Sequence, residues 1–167
     1  MKTLQQQLGN YGLYHRSRRN VITHFFGIPL IIFAVLCLLA RIQLPFAEYV
    51  ISGADIFVLA SVIYYLTLSV SLGLIMAAIL ILMTIAAVPI ASLSLNSWLI
   101  MSIGTFVFGW VLQFIGHYYE GKKPAFVDDL IGLIIGPLFV LVEALFLLGL
   151  YQELEQQISD IAGPTKP

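Results

Sequence analysis

Residues 56–119 read IFVLASVIYYLTLSVSLGLIMAAILILMTIAAVPIASLSLNSWLIMSIGTFVFGWVLQFIGHYY, a stretch of 64 residues without Asp, Glu, Lys or Arg. A helix needs about 20 apolar residues to cross the hydrocarbon core of a bilayer. The stretch is therefore long enough for three spans, provided that it turns twice. Small and polar residues indicate two turns, one at residues 69–73 and the other at residues 89–97.

Two shorter apolar stretches lie on either side. Residues 20–40 hold no charged side chain, and residues 130–150 hold one, Glu143. Each is long enough for one span, and helices are the expected element because unpaired backbone groups are costly in lipid. The sequence therefore predicts an all-α, polytopic membrane helix bundle with about five transmembrane helices, in a single integral membrane domain over residues 1–167. The predicted spans are 22–41, 54–71, 73–91, 97–117 and 130–150.

The composition excludes the other structural classes. Hydrophobic residues make up 60% of the chain and charged residues only 10%, whereas a typical soluble domain has about 25% charged residues. A soluble globule cannot bury this much apolar surface, and a disordered chain would be far more polar. The single cysteine, Cys37, can form no disulfide within the chain. The net charge of −1 gives no basic field for nucleic acid, so the lipid bilayer is the expected partner.

The basic residues set the expected orientation, because cytoplasmic loops carry an excess of Lys and Arg. With five spans and a cytoplasmic N-terminus, residues 1–20 form a cytoplasmic segment and residues 151–167 a polar tail outside. Six basic residues then lie in cytoplasmic segments and two outside. The six are Lys2, Arg16, Arg18, Arg19, Lys122 and Lys123. The same orientation brings all three histidines of the chain, His15, His24 and His117, to the cytoplasmic face.

Three histidines at one membrane level are the main candidate for a functional site. Imidazole is a common ligand of iron and zinc, so these side chains predict a metal centre. His117 and Glu120 are spaced i, i+3, a spacing that metal-binding helix bundles use, and Gln113 shares their helical face. The alternative for this motif is an interfacial histidine followed by a solvated glutamate.

The other two histidines are nine residues apart, which on one straight helix would put them on opposite sides. They can approach each other only if the helix is interrupted between them. We therefore expect a break at residues 17–20, with Asn20 capping the first span. Asn20 would then share a helical face with His24.

The remaining charged residues each have two interpretations. The arginines within residues 16–19 are either a positive-inside anchor or a site for an anionic lipid headgroup. Asp128 and Asp129 begin the last span, where acids complement the helix dipole, unless one of them orients a ligand histidine. Glu143 lies inside the last span, where an ionisable residue is functional by default or pairs with a polar group of a neighbouring helix, such as a tyrosine.

Several motifs occur in one order between Tyr11 and Glu143, which is most of the chain. They are Tyr14-His15, Asn20, His24-Phe-Phe-Gly27-Ile-Pro29, Gly109-Trp110-Val-Leu-Gln113-Phe-Ile-Gly116-His117, Glu120-Gly121-Lys-Lys-Pro124-Ala125, Gly136-Pro137-Leu-Phe139 and Glu143. Together they resemble the 2-hydroxy fatty acid dioxygenase family, a group long classified as a domain of unknown function. The characterised fungal member of that family is an endoplasmic-reticulum protein of phytosphingosine breakdown.

The resemblance implies an iron(II)-dependent dioxygenase that shortens 2-hydroxy fatty acids by one carbon, the chemistry of fatty acid α-oxidation, at the cytoplasmic face. It implies Fe(2+) as the cofactor, and a 2-hydroxy fatty acid and O2 as the substrates. It makes His15, His24 and His117 the catalytic metal ligands, with Glu120 as a further catalytic residue and Glu120 or Asp128 as the candidate fourth ligand. Candidate substrate-binding residues are Arg16, Arg19, Asn20, Gln113 and Lys122.

Three other functions stay open at this point. A zinc-dependent membrane lipid hydrolase would use similar ligands. A small-molecule transporter would need polar residues at mid-depth in several spans, and only Glu143 qualifies. A membrane scaffold would hold no metal. The source membrane (a bacterial inner membrane or the endoplasmic reticulum, with the site facing the cytoplasm in both), the acyl-chain length and the formation of a homo-oligomer are also left open.

Overall fold

In the computed structural model, which describes residues 2–124 and 131–165, the chain folds into helices and one short β-hairpin. The helices are α1 (Leu4–Gly12), α2 (Arg18–Ala40), α3 (Gly53–Leu68), α4 (Val70–Ala91), α5 (Leu95–Glu120), α6 (Gly132–Leu147) and α7 (Gln152–Ala162). The hairpin strands are β1 (Gln43–Phe46) and β2 (Tyr49–Ser52). The predicted roles of Asp128 and Asp129 fall outside the described residues.

Each of the five predicted spans coincides with one helix, from α2 to α6, so the prediction of a helical bundle is confirmed. Helices α2, α4 and α5 are long and apolar enough to cross a membrane. Helices α3 and α6 are apolar but have 16 residues each. At about 1.5 Å per residue such a helix is about 24 Å long, less than the hydrocarbon core of about 30 Å. Among the described residues, three helices can thus span a bilayer by themselves, and the count of five stays a prediction.

Both predicted turns within the long apolar stretch are confirmed. Helix α3 ends at Leu68, and the extended residue Ser69 caps α4 by accepting a hydrogen bond from the Leu72 N–H. The second turn occupies residues 92–94 between α4 and α5. Serine is favoured at such positions because its hydroxyl satisfies a backbone N–H that the helix leaves unpaired.

The hairpin between α2 and α3 was not expected from the sequence. Its strands are antiparallel, with Gln43 opposite Ser52 and Phe46 opposite Tyr49. Aromatic and β-branched residues favour this conformation, but strands of four residues are too short to give a clear alternation. Ser52 also caps α3 in a capping box with Asp55, so the hairpin leads directly into the next helix.

Contacts divide the chain into two compact units, one of residues 1–28 and 110–167 and one of residues 29–109. The first unit contains all three histidines. In it α1 packs against α6 and α7, and the glycine at position 9 allows this close approach because an added Cβ would lie 2.8 Å from Ile161. The buried side chains of Leu8, Phe139 and Ile158 form part of the core of this unit. Most of the predicted polar tail, residues 151–167, forms α7, which ends before Gly163.

Candidate metal centre

The three histidines converge within the first unit. His15 lies between α1 and α2, His24 lies on α2, and His117 lies near the end of α5. Their side chains are almost completely buried, with 1%, 2% and 6% of their surface exposed. If each residue offers one ring nitrogen, these atoms lie within 4.8 Å of one another. The convergence that the sequence predicted is therefore present in the fold.

Hydrogen bonds fix the orientation of two of the rings. The Nδ1 atom of His15 lies 2.7 Å from the Tyr11 carbonyl oxygen, and that of His24 lies 2.9 Å from the Asn20 carbonyl oxygen. Because a carbonyl oxygen only accepts, each Nδ1 must carry the proton and donate it. Each neutral ring is then left with a lone pair on Nε2, which is the form that binds a metal.

The lone pairs of these two rings face each other. The Nε2 atoms of His15 and His24 are 3.0 Å apart, and neither has a proton to share in this tautomer. Imidazole nitrogens bind zinc at about 2.1 Å, so two nitrogens 3.0 Å apart can both reach one ion of this kind. Without a cation the two lone pairs repel each other, whereas a cation bound by both nitrogens would be held by two coordinate bonds. This spacing and donor set fit a divalent transition metal held by imidazoles.

Burial keeps His15 in the neutral form. The pKa of His15 lies well below its usual value. Removal of the ring from water is the main cause, and the neighbouring His24 is the second. A neutral imidazole at pH 7 is ready to bind a metal without first losing a proton.

The Nδ1 atom of His117 is buried and has no hydrogen-bond partner among residues 2–124 and 131–165.

A helix break brings His15 to His24 as predicted, but it lies at residues 13–17, ahead of the predicted position at residues 17–20. Helix α1 ends at Gly12 and α2 begins at Arg18, so residues 13–17 turn the chain back. The prediction that Asn20 caps the helix is wrong, because Asn20 lies within the first turn of α2. The capping group is instead the carboxylate of Glu120, whose Oε2 accepts a hydrogen bond of 2.7 Å from the Ser17 N–H.

A glycine lets α5 approach α2 closely enough to deliver His117. A Cβ added at Gly116 would overlap the Thr23 hydroxyl oxygen and the Asn20 side-chain oxygen, and would lie 3.2 Å from His24 Nδ1. The backbone of α5 therefore packs directly on the face of α2 that carries His24. Any side chain at this position would force the two helices apart.

Two aromatic residues that sequence reasoning did not assign to the site enclose His15. The Tyr11 ring stacks on the His15 ring with centroids 4.0 Å apart and planes 3° apart, and Phe139 lies 5.7 Å from the same ring. Burial raises the pKa of the Tyr11 hydroxyl above its usual value, so this residue stays neutral. In the sequence, only the four-residue spacing of Tyr11 and His15 could have indicated that these two rings lie together.

The structure places Glu120 beside the metal-binding group and not in it. Among the described residues, that group consists of the three histidines alone. The Glu120 carboxylate instead binds the Ser17 N–H and the Asn20 side-chain amide, the latter at 3.1 Å. The sequence hypothesis of Glu120 as a fourth ligand thus has no direct support from the contacts of its carboxylate.

The candidate substrate-binding residues differ in how much of their bonding capacity is used. Arg16 is buried, donates to the Gly163 carbonyl at 3.0 Å and lies 3.5 Å from the Glu143 carboxylate. This ion pair explains why Glu143 is tolerated within the last predicted span. Its partner is an arginine, whereas a polar group such as a tyrosine was the expected partner. Gln113 is 5% exposed, and its Nε2 has no hydrogen-bond partner in the described part of the chain.

The two other basic candidates lie at the surface. The Arg19 guanidinium is 5.3 Å from the centre of the Tyr119 ring. The Lys122 ammonium donates to the Leu13 carbonyl oxygen at 2.7 Å. Both residues are exposed, so their charges face the surroundings of the site.

Comparison with known proteins identifies the family. The family described as 2-hydroxy-palmitic acid dioxygenase Mpo1-like matches residues 1–148. The 2-hydroxy-palmitic acid dioxygenase MPO1 of Saccharomyces cerevisiae is 32% identical over 154 residues, which cover 91% of this chain and 85% of the yeast protein. No solved structure matches the chain. The resemblance drawn from the motifs is confirmed, and the chain belongs to the Mpo1-like family.

Proposed function

We propose that the protein is a membrane-embedded, non-haem Fe(II) dioxygenase that shortens 2-hydroxy fatty acids by one carbon. The observation that carries the proposal is the buried set of His15, His24 and His117, whose ring nitrogens lie within 4.8 Å of one another. The name of the yeast relative supports the reaction class. A three-histidine set is a variant of the ligand sets that non-haem iron oxygenases use.

The proposed reaction balances without any further reductant. A 2-hydroxy acid that becomes a fatty acid shorter by one carbon, with C1 released as CO2, loses four electrons. One molecule of O2 accepts four electrons, and its two oxygen atoms are accounted for in the shortened acid, CO2 and one water. Fe(II), when bound by the three imidazoles, would supply the redox chemistry that joins O2 to the substrate.

The chain's own residues would orient the substrate. The Nε2 of Gln113, which has no hydrogen-bond partner among the described residues, lies one helical turn before His117 and is a buried donor for a carboxylate or hydroxyl oxygen of the acid. Arg19 and Lys122 would attract the carboxylate by charge. Arg16 is less suited to this role, because Glu143 and Gly163 already engage its guanidinium.

The acyl chain would lie among apolar helices, in the membrane that supplies the substrate. One face of α5 carries an open groove of about 520 Å³ lined by aromatic and aliphatic side chains. They are Val111, Phe114, Ile115, Tyr118 and Tyr119. We place the histidine cluster at the cytoplasmic face of a bacterial inner membrane or the endoplasmic reticulum, in keeping with the basic residues around it.

Oxygen uptake tests the proposal. Protein purified without oxygen should contain iron and consume O2 when a 2-hydroxy fatty acid is added, with one CO2 released for each O2 consumed. An iron chelator should abolish the uptake, and the matching fatty acid without the 2-hydroxyl should give none. Zinc in place of iron, with no oxygen uptake, would favour a membrane lipid hydrolase that uses the same donor set.

A further inference from the structure

The carboxylate of Glu120 holds together segments that are far apart in the sequence. One oxygen, Oε2, accepts hydrogen bonds from the Ser17 N–H at 2.7 Å and from the Asn20 Nδ2 at 3.1 Å. Ser17 directly precedes α2 and occupies its N-cap position, because its carbonyl accepts the first hydrogen bond of the helix, from the Val21 N–H. A carboxylate here satisfies an unpaired N–H and complements the helix dipole.

Asn20 extends this connection on both sides. Its Nδ2 also donates to the Tyr14 carbonyl oxygen at 3.1 Å, so both of its amide hydrogens are used. Its own backbone carbonyl accepts the hydrogen bond from His24 Nδ1 at 2.9 Å. Asn20 thus ties the turn before α2 to the His24 ring.

Each histidine is therefore connected to Asn20 or Glu120 by a hydrogen bond or by a few residues of chain. His15 directly follows Tyr14, whose carbonyl binds Asn20. His24 donates to the Asn20 carbonyl. His117 precedes Glu120 by three residues on α5, which is less than one helical turn. The three chain segments that carry the histidines meet at these two side chains.

We infer that Asn20 and Glu120 form a positioning clamp that holds the three imidazoles in register for metal binding, with Glu120 acting through hydrogen bonds and not as a ligand. The inference rests on the proposed metal centre. Groups that orient ligand histidines change metal affinity by about tenfold to hundredfold when removed.

The substitution Glu120→Gln separates positioning from ligation. A glutamine can place its amide oxygen where Oε2 lies and accept both hydrogen bonds, but a neutral amide is a poor replacement for a ligand carboxylate. We expect Glu120→Gln to bind Co(II) or Fe(II) within about threefold of the wild-type affinity, and Glu120→Ala and Asn20→Ala to bind about tenfold or more weakly. Anaerobic titration of the metal-free protein, followed by the absorption of bound Co(II), measures this directly.

A matched control removes a similar capping carboxylate elsewhere. Asp55 accepts hydrogen bonds from the Ser52 N–H and hydroxyl at the start of α3, in the unit without the histidines. Asp55→Ala should bind the metal as the wild type does. The double variant Asn20→Ala/Glu120→Ala should be no weaker than the weaker single variant, because the two side chains act together.

The results distinguish the clamp from the reaction. If Glu120→Gln binds metal as poorly as Glu120→Ala, or if Glu120→Ala binds like the wild type, the clamp is wrong whatever the reaction. If the variants behave as expected but the wild type consumes no O2 with a 2-hydroxy fatty acid, the clamp stands and the proposed reaction fails.

Discussion

The guanidinium of Arg16 lies 3.5 Å from the carboxylate of Glu143, and their side chains are only 6% and 15% exposed. This ion pair joins the residue that follows His15 to the middle of α6. The same guanidinium donates to the Gly163 carbonyl beyond the end of α7. One buried cation thus connects the turn before α2 to the two C-terminal helices.

Breaking this ion pair should destabilise the protein more than replacing it. Glu143→Ala leaves a buried guanidinium without its counter-ion, and we expect the free energy of unfolding to fall by about 3 kcal/mol. Arg16→Met/Glu143→Leu removes both charges and should recover most of that loss. Thermal unfolding of the detergent-solubilised protein measures both. A double variant that is stable and metal-loaded but inactive would show that the pair serves the reaction and not stability alone.

Removal of any one histidine should remove the metal. His15→Ala, His24→Ala and His117→Ala each leave two imidazoles, and we expect the iron content of anaerobically purified protein to drop to a small fraction of the wild-type value. Ser102→Ala is a suitable control, since Ser102 is also fully buried but lies in the other unit. Wild-type iron content in all three histidine variants would contradict the proposed centre.

Gly116→Ala should disrupt the site while the same change elsewhere on α5 should not. The added methyl would overlap Thr23 and Asn20, so α5 must move away from α2. We expect a loss of about 1–3 kcal/mol in stability together with weaker metal binding. At Gly104 a Cβ would meet no described atom within 4 Å, and Ala is the better helix former. Gly104→Ala should therefore match or exceed the wild type in both measurements.

Gln113→Leu should affect the substrate and leave the metal alone. The change keeps the volume of the side chain but removes the donor proposed to bind the substrate oxygen. We expect KM for the 2-hydroxy fatty acid to rise about tenfold with the iron content unchanged. A normal KM would exclude Gln113 from substrate binding, whereas loss of iron would assign it a role in building the centre.

The sequence predicted the helices well because their signal is local. Long apolar stretches without alternating polarity form helices in lipid, and serine and glycine mark where they turn. The hairpin at residues 43–52 was missed, since strands of four residues give almost no periodic signal. The number of spans is not settled by composition, because α3 and α6 are apolar but short.

The histidine set was also predictable, because the chain is largely apolar and few of its side chains could bind a metal. The roles of Glu120 and Arg16 were not, because their partners lie 103 and 127 residues away along the chain. A carboxylate three residues from a ligand histidine looks the same in sequence whether it binds the metal or caps another helix. Only the tertiary contacts of α5 with the turn before α2 distinguish the two.

The spread of the ligands along the chain also orders events during biosynthesis. His117 follows His24 by 93 residues, so a ribosome-bound chain that has inserted its first helix offers an ion two imidazoles at most. The third arrives only after α3, α4 and nearly all of α5 have been translated. In the proposed iron enzyme, the metal would therefore be bound late in synthesis, and a truncated translation product that lacks α5 would offer only two of the three histidine ligands.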